Sequence, residues 1–136
     1  MQQVLLNIIL NALDAMQNTQ AERPRVLRLS CGDAADSPLA AAPPPGSVAA
    51  ADLLYIEITD SGCGMDDATL KRIYEPFFTT KPVGVGTGMG LAMAYGAIGN
   101  HHGWIQVSSK VGEGTTFVVF LPRVQDKAKP PKAENI

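Results

Sequence analysis

Four short segments of this chain carry the residue types whose spacing could do chemistry. They read Asn7-Ile8-Ile9-Leu10-Asn11, Asp60-Ser61-Gly62-Cys63-Gly64, Gly86-Thr87-Gly88-Met89-Gly90-Leu91 and Gly112-Glu113-Gly114-Thr115. One glycine cluster alone usually marks only a turn. The set supplies two amides, a carboxylate beside small residues, and glycine-rich backbone ahead of an apolar run. These groups suit a metal, a flat base and a phosphate chain, and together they predict a nucleotide pocket.

The two amides of Asn7 and Asn11 are four residues apart. On a helix, such side chains project from one face, one turn apart. An amide oxygen is a hard, neutral ligand suited to magnesium, which takes further ligands from water and substrate phosphates. The pair therefore predicts a helix that holds a nucleotide's metal. Two ordinary solvent-facing amides would give the same pattern.

The carboxylate of Asp60 follows an alternating apolar run and precedes Gly62 and Gly64. It can accept a hydrogen bond from an exocyclic amine, while the small residues let a flat base lie against the backbone. This arrangement suits adenine. A capped β-turn explains the same residues equally well.

The segment from Gly86 to Gly90 precedes an apolar helical pattern that starts at Leu91. Its backbone N–H groups can converge on phosphate oxygens, and the positive end of the helix dipole adds to this. Thr87 and Lys81 are nearby donors. No Lys-Ser or Lys-Thr follows the last glycine and no strand precedes the segment, so neither a P-loop nor a dinucleotide fingerprint is matched. An ordinary glycine-rich loop remains an alternative.

Hydrophobic periodicity predicts three helices and four strands that position these segments. The first helix covers residues 2 to 17, with an apolar face formed by Val4, Leu5, Ile8, Ile9, Ala12, Leu13 and Met16. The other elements are a strand from Val26 to about Cys31, a strand from Leu53 to Thr59, a short helix capped by Asp66 or Asp67 and ending near Tyr74, a helix from Leu91 to Ile98 closed by Gly99-Asn100, and strands over 104 to 108 and 115 to 121.

Two stretches have the composition of exposed chain rather than of a core. Residues 33 to 51 are rich in Ala, Pro, Ser and Gly and predict an insert between two strands. Residues 123 to 136 are rich in Lys and Pro and predict a disordered tail. One domain is therefore expected over residues 1 to 122.

The aromatic pair Phe77-Phe78 is expected to pack in the core, with a flap hinged by Pro76 and Gly84 as the alternative. Tyr95 and Trp104 are likewise expected in the core. Surface or structural positions are expected for His101 and His102, which have no carboxylate at a catalytic spacing.

Composition excludes several classes of protein. With 136 residues and 46% hydrophobic residues, the chain has room for one globular core. A net charge of -2 does not provide the excess positive charge that is typical of nucleic-acid-binding proteins. No apolar run is long enough for a membrane span and no leader pattern opens the chain, which predicts a cytoplasmic domain without membrane contact. Cys31 and Cys63 lack metal-ligand spacing and are expected as free thiols.

In this order, and with Glu75-Pro76-Phe77-Phe78 between the second and third, the four segments resemble the catalytic ATP-binding domain of sensor histidine kinases. That domain is a branch of the gyrase, heat-shock chaperone, histidine kinase and mismatch-repair (GHKL) superfamily. The resemblance runs from Gln2 to about Pro122. It implies an α+β, two-layer α/β sandwich of the Bergerat type, with a mixed sheet of about five strands, three helices on one face, and ATP under a flexible lid.

The resemblance also implies roles for individual residues. Asn11 resembles the ligand of magnesium (Mg²⁺) and Asn7 its partner near the phosphates, so both are candidate catalytic residues. Asp60 resembles the carboxylate that reads adenine, and Thr115 the hydroxyl that helps to bind adenine through water. The remaining candidate nucleotide-binding residues are Gly62, Gly64, Lys81, Gly86, Thr87, Gly88, Met89, Gly90 and Leu91.

One position separates the branches of the superfamily. In its hydrolytic members the place of Asn7 is taken by a glutamate that acts as general base, and an amide cannot accept that proton at neutral pH. The resemblance therefore implies a kinase that donates phosphate to a histidine on a separate dimerisation domain, with a response-regulator receiver domain downstream. The short lid between Lys81 and Gly86 resembles nitrogen-regulator-like and hybrid kinases. A non-catalytic nucleotide-binding regulator, a partner-switching serine kinase and a hydrolytic ATPase are the alternatives.

Overall fold

A computed structural model of the chain describes residues 2–17, 24–33, 53–79 and 89–122. The elements in chain order are α1 (Gln2–Gln17), β1 (Leu27–Asp33), β2 (Leu53–Asp60), α2 (Asp67–Leu70), α3 (Gly90–Asn100), β3 (Trp104–Lys110) and β4 (Gly114–Pro122). Each predicted helix and strand is found. The strand β1 runs on to Asp33, which the sequence placed in the insert, and α2 ends at Leu70 rather than near Tyr74. Within the described ranges, no helix has the length and apolar character needed to cross a bilayer.

The described strands form one sheet in the order β1-β2-β4-β3, and each neighbouring pair is antiparallel. The prediction of an α+β fold with helices packed on a sheet is confirmed. The described sheet has four strands rather than about five, and it is antiparallel rather than mixed. The helices α2 and α3 carry the chain from β2 to β3, which run in the same direction. Because β4 folds back as a hairpin and lies between them, no parallel neighbours result.

The helix face of the sheet carries the main core. The helix α1 buries Val4, Ile8, Ala12 and Met16, at the four-residue spacing that keeps side chains on one face. Of these, Val4 and Ile8 pack with residues of β2, β4 and α3 that include Ile58, Phe117, Val119 and Ile98. Leu13, predicted on the same face, is 40% exposed. Five residues beyond Ile8, it is rotated about 140° around the helix axis.

A second apolar cluster lies on the opposite face of the sheet. Alternation along β4 turns Val118 and Phe120 away from the helices, and both are buried with Leu53. Trp104 is half-buried and stacks on Phe120 with ring centroids 4.7 Å apart, as expected for a packing residue. The same expectation for Tyr95 is wrong, because Ala94 and Ile98 occupy the core face of α3 and leave Tyr95 54% exposed.

The end of α3 differs from the predicted closure at Gly99-Asn100, since both residues lie inside the helix. The left-handed residue that ends it is His102, with φ of 62°. The amide of Gly103 donates to the carbonyl of Ile98, and that of His102 to Gly99, both at 3.0 Å. These bonds form a Schellman motif with histidine in the place usually taken by glycine. His101 and His102 are exposed, as predicted.

The hydroxyl of Tyr74 is buried beside the exposed Tyr95, whose ring centroid lies 4.6 Å from that of Tyr74. Among the described residues, this hydroxyl has no hydrogen-bond partner. Burial raises the pKa of Tyr74 well above its usual value, because the charged form is poorly solvated there.

We therefore expect Tyr74→Phe to raise the free energy of unfolding by about 1 kcal/mol, because it removes a desolvated polar group and keeps the ring. Urea denaturation of both proteins measures the change. Tyr95→Phe, which removes an exposed tyrosine hydroxyl, is the matched control and should leave stability unchanged. A lower stability of Tyr74→Phe would show that the hydroxyl has a partner.

Candidate functional site

One row of polar residues crosses three strands at the end of the sheet. In the strand register, Asp60 of β2 lies opposite Thr115 of β4, and Thr115 lies opposite Ser109 of β3. All three occupy the face that carries the helices. Asp60 and Thr115 are each 5% exposed, although buried residues of the sheet are otherwise apolar. The fold thus brings together the carboxylate and the hydroxyl that the sequence predicted to face a base.

The Asp60 carboxylate is held in place by the loop that follows it. Its Oδ1 accepts a hydrogen bond from the backbone N–H of Gly62 at 2.8 Å. Next to it, the Ser61 hydroxyl accepts from the N–H of Val26 at 2.8 Å and donates to the carbonyl of Pro24 at 3.0 Å. The carboxylate therefore caps a turn, as one of the two predictions stated. A carboxylate has further acceptor sites, so this turn is compatible with recognition of an amine.

Gly62 lets the loop lie directly against α1. A Cβ atom at this position would stand 2.8 Å from the carbonyl carbon of Ala15, which is too close for any side chain. The N–H of Cys63 donates to the carbonyl of Ala15 at 3.3 Å. The loop that follows Asp60 is thus fixed to α1 one turn beyond Asn11.

Gly64 occupies a left-handed conformation, with φ of 72°. A Cβ atom here would overlap the carbonyl oxygen of Lys110. The carbonyl of the preceding Cys63 accepts from the N–H of Gly112 at 2.7 Å. The Asp60 loop and the turn between β3 and β4 therefore pack backbone to backbone, and Gly64 makes this contact possible.

The two predicted amides lie on α1 and are half-buried. The Nδ2 of Asn7 donates to the carbonyl of Gly90 at 3.1 Å, and its Oδ1 accepts from Gln3 at 3.0 Å. Asn7 therefore joins α1 to the start of α3. Asn11 lies one turn further along, and its side-chain amide has no hydrogen bond to any other described residue. Its oxygen remains available to a ligand.

The start of α3 is the described part of the predicted phosphate-binding loop. Met89 is the N-cap residue and its side chain caps no backbone group. The first N–H groups of this helix, beginning at Gly90 and Leu91, have no partner within the helix, and its dipole favours an anion there. The predicted residues Lys81, Gly86, Thr87 and Gly88, and the predicted hinge Gly84, lie outside the described residues.

Ser109 is a site residue that sequence reasoning missed. Its hydroxyl lies 2.8 Å from the N–H of Met65, 3.0 Å from the carbonyl of Gly114 and 2.8 Å from the hydroxyl of Thr115. The available signal was its position, because Ser109 continues the inward-facing positions of Ile105 and Val107 on β3. A serine in such a row needs partners inside the fold.

The aromatic pair beside the site does not pack as predicted. Phe77 is 76% exposed, and its φ of 69° is unusual for an aromatic residue. The amide of Phe78 donates to the carbonyl of Glu75 at 3.2 Å, and the resulting turn directs Phe77 outward. Phe78 is half-buried and lies under the guanidinium of Arg72, 4.4 Å from the ring centroid. The core expectation is therefore wrong for Phe77.

Both cysteines are exposed free thiols, as predicted. Over the described ranges, no group of three or more His, Cys, Asp or Glu side chains is arranged to hold a metal ion.

Comparison with known proteins agrees with this geometry. Residues 1–125 match the family described as "Histidine kinase-, DNA gyrase B-, and HSP90-like ATPase". The sequence is similar to the sensor kinase CckA of Brucella abortus (strain 2308), with 41% identity over 94% of this chain and 13% of that protein. It is also similar to the signal transduction histidine-protein kinase AtoS of Escherichia coli (strain K12), with 38% identity over 90% of this chain and 16% of that protein. The chain thus spans a small part of these relatives.

Two solved structures share the fold. A mycobacterial sensor histidine kinase, MprB, superimposes with a TM-score of 0.59 over 88% of this chain and 68% of that one, at 23% identity. Full-length ShkA in complex with AMPPNP superimposes with a TM-score of 0.60 over 88% of this chain and 20% of that one, also at 23% identity.

Proposed function

Because the chain belongs to the family of histidine kinase-, DNA gyrase B- and HSP90-like ATPases, we propose that it binds ATP with magnesium and donates the γ-phosphoryl group to a histidine on a separate dimerisation domain. The observation that carries the proposal is the buried Asp60 opposite Thr115 at the end of the sheet. The similarity to sensor kinases favours a histidine as the acceptor.

The adenine end of the site consists of groups that accept hydrogen bonds. Asp60 would accept from the exocyclic amine, and its bond to the Gly62 N–H fixes the orientation of the carboxylate. Asp60 is buried and keeps acceptor sites beyond its bond to the Gly62 N–H, so a base that supplies a donor is favoured over one that does not. This end gives affinity and base selectivity, and it takes no part in bond breaking.

The phosphate end lies between α1 and the start of α3. The oxygen of Asn11 would hold magnesium, which when bound neutralises charge on the phosphates. The N–H groups at the start of α3 would bind phosphate oxygens. Asn7 positions these parts, because it bonds the carbonyl of Gly90.

The chemistry of Asn7 favours transfer over hydrolysis. Its amide has no basic site at neutral pH, and its Nδ2 is already bonded to Gly90. A water molecule in the site would find no general base at this position. In the proposed reaction the nucleophile is supplied from outside the domain, as the imidazole of a histidine. The domain positions the reactants and stabilises their charge.

Reconstitution tests the proposal. The chain is incubated with labelled ATP, magnesium and a histidine-bearing dimerisation domain from its parent protein, and acid-labile phosphate on that domain is the expected product. Tight ATP binding without transfer would favour a non-catalytic regulator, and steady-state hydrolysis by the chain alone would favour an ATPase. A receiver domain of a response regulator, added second, should then gain the phosphate.

We place this reaction in the cytoplasm, without contact to nucleic acid or membrane.

We expect Asn11→Ala to remove most of the magnesium dependence of ATP binding, because the amide oxygen is the predicted metal ligand. Calorimetry with magnesium and with EDTA should give affinities that differ less than about twofold, against about tenfold or more for the unmodified chain. Gln17→Ala, an exposed amide at the end of the same helix, should keep the full difference. An unchanged magnesium effect in Asn11→Ala would remove Asn11 from the site.

A further inference from the structure

We propose that Ser109 is a positioning residue that fixes the proton of the Thr115 hydroxyl, so that Thr115 offers only acceptor sites to the base and the pocket rejects purines with a carbonyl at the 6-position. The inference rests on the proposed function. It assigns a role to a residue for which neither the motifs nor the sequence pattern predicted one.

Three hydrogen bonds meet at the Ser109 hydroxyl, and only one arrangement of protons satisfies all of them. The N–H of Met65 can only donate, so Ser109 accepts from it at 2.8 Å. The carbonyl of Gly114 can only accept, so the single Ser109 proton goes to it at 3.0 Å. The third contact, 2.8 Å to Thr115, is then satisfied when Thr115 donates.

The consequence concerns the Thr115 oxygen. A threonine hydroxyl has one proton and two lone pairs, and here the proton is directed at Ser109. What remains for a ligand is two acceptor sites. Since Thr115 lies opposite Asp60 in the strand register, two buried side chains that offer only acceptor sites stand side by side.

Such a pair distinguishes the two purine types at position 6. The amine of adenine donates, directly or through a water, to either group. A carbonyl at that position, as in hypoxanthine, presents a third acceptor to two acceptor-only groups, so neither group can form a hydrogen bond to it. Without Ser109, the Thr115 hydroxyl could rotate and donate to that carbonyl.

Ser109 also joins two parts of the chain, and the proposal depends on their relative positions. Met65 belongs to the loop after Asp60, while Gly114 and Thr115 open β4. If Ser109 only held this junction together, its replacement would weaken the binding of every nucleotide by the same factor. If it also directs the Thr115 proton, its replacement would change the ratio of the ITP to the ATP dissociation constant.

The test is calorimetric titration of the 136-residue chain with ATP and with ITP, each with magnesium. For Ser109→Ala we expect the ratio of the ITP to the ATP dissociation constant to fall about threefold to tenfold, the effect of one hydrogen bond. Ser109→Thr, which keeps the hydroxyl, should restore the ratio. Thr115→Val should weaken the binding of ATP more than that of ITP, because the acceptor oxygen of the hydroxyl is lost.

Ser108→Ala is the matched control. Ser108 is the exposed neighbour on the opposite face of β3, in register with Thr116, and its loss should leave the ratio unchanged. If Ser109→Ala weakens both nucleotides equally, or neither, the inference is overturned while the proposed function stands. If the unmodified chain binds neither nucleotide, the proposed function itself fails.

Discussion

We expect the Asp60→Asn variant to bind ATP about 100-fold more weakly than the unmodified chain, with its fold intact. The carboxylate is 5% exposed and its Oδ1 accepts from the N–H of Gly62. An asparagine that keeps this bond through its own Oδ1 must turn its Nδ2 toward the pocket. A donor would then face the exocyclic amine of adenine, which is also a donor, and the negative charge would be gone.

Calorimetry measures the change in affinity, and far-ultraviolet circular dichroism checks the fold. Glu57→Gln is the matched control, because it makes the same chemical change on the same strand but on the opposite face, where Glu57 accepts from Ser30 at 3.3 Å. Its ATP affinity should equal that of the unmodified chain. An Asp60→Asn protein that binds ATP normally would show that this carboxylate does not bind the adenine base.

The second large effect is on stability. We expect Gly114→Ala to lower the free energy of unfolding by roughly 2–5 kcal/mol, the sum of left-handed backbone strain and overpacking. Gly114 has φ of 120°, and a Cβ atom there would overlap the carbonyl oxygen of Asp60. Because the overlapping partner is backbone, it cannot move aside without displacing Asp60. Urea denaturation measures this loss of stability, and calorimetry on the folded protein should show a reduced ATP affinity.

Gly96→Ala is the comparison that separates this effect from a general sensitivity to glycine replacement. Gly96 lies inside α3, and a Cβ atom there would meet no atom within 4 Å. Alanine in a helix interior is favoured over glycine, so stability should rise by about 0.5–1 kcal/mol. If the two variants changed stability in the same direction and by similar amounts, the close contact at Gly114 would not be the cause.

Local patterns in the sequence were sufficient for the elements and for most of the described candidate residues. The four-residue spacing of Val4, Ile8 and Ala12 predicted α1 and its buried face, and turn residues marked the strand ends. The motifs also named Asp60 and Thr115. Such patterns depend on near neighbours in the chain, where periodicity and steric preference act directly.

The errors concern which side of an element faces the core and how the strands are ordered in the sheet. Phe77 is apolar and was expected inside, yet the turn from Glu75 directs it outward. Tyr95 is exposed because Ala94 and Ile98 occupy the core side of its helix. The strand directions depend on β4 lying between β2 and β3, which no local pattern expresses.

The sequence by itself determined which groups the site can offer: two amides one helical turn apart, a carboxylate at a strand end, and glycines wherever backbone must approach backbone. Only the tertiary structure decided how those groups are oriented, since the register of β2, β4 and β3 alone places Asp60, Thr115 and Ser109 in one row. The physical reason is the distance along the chain over which each kind of interaction acts. Residue types and short spacings set local conformation, whereas the direction of a buried hydroxyl proton depends on partners supplied by three separate strands and loops.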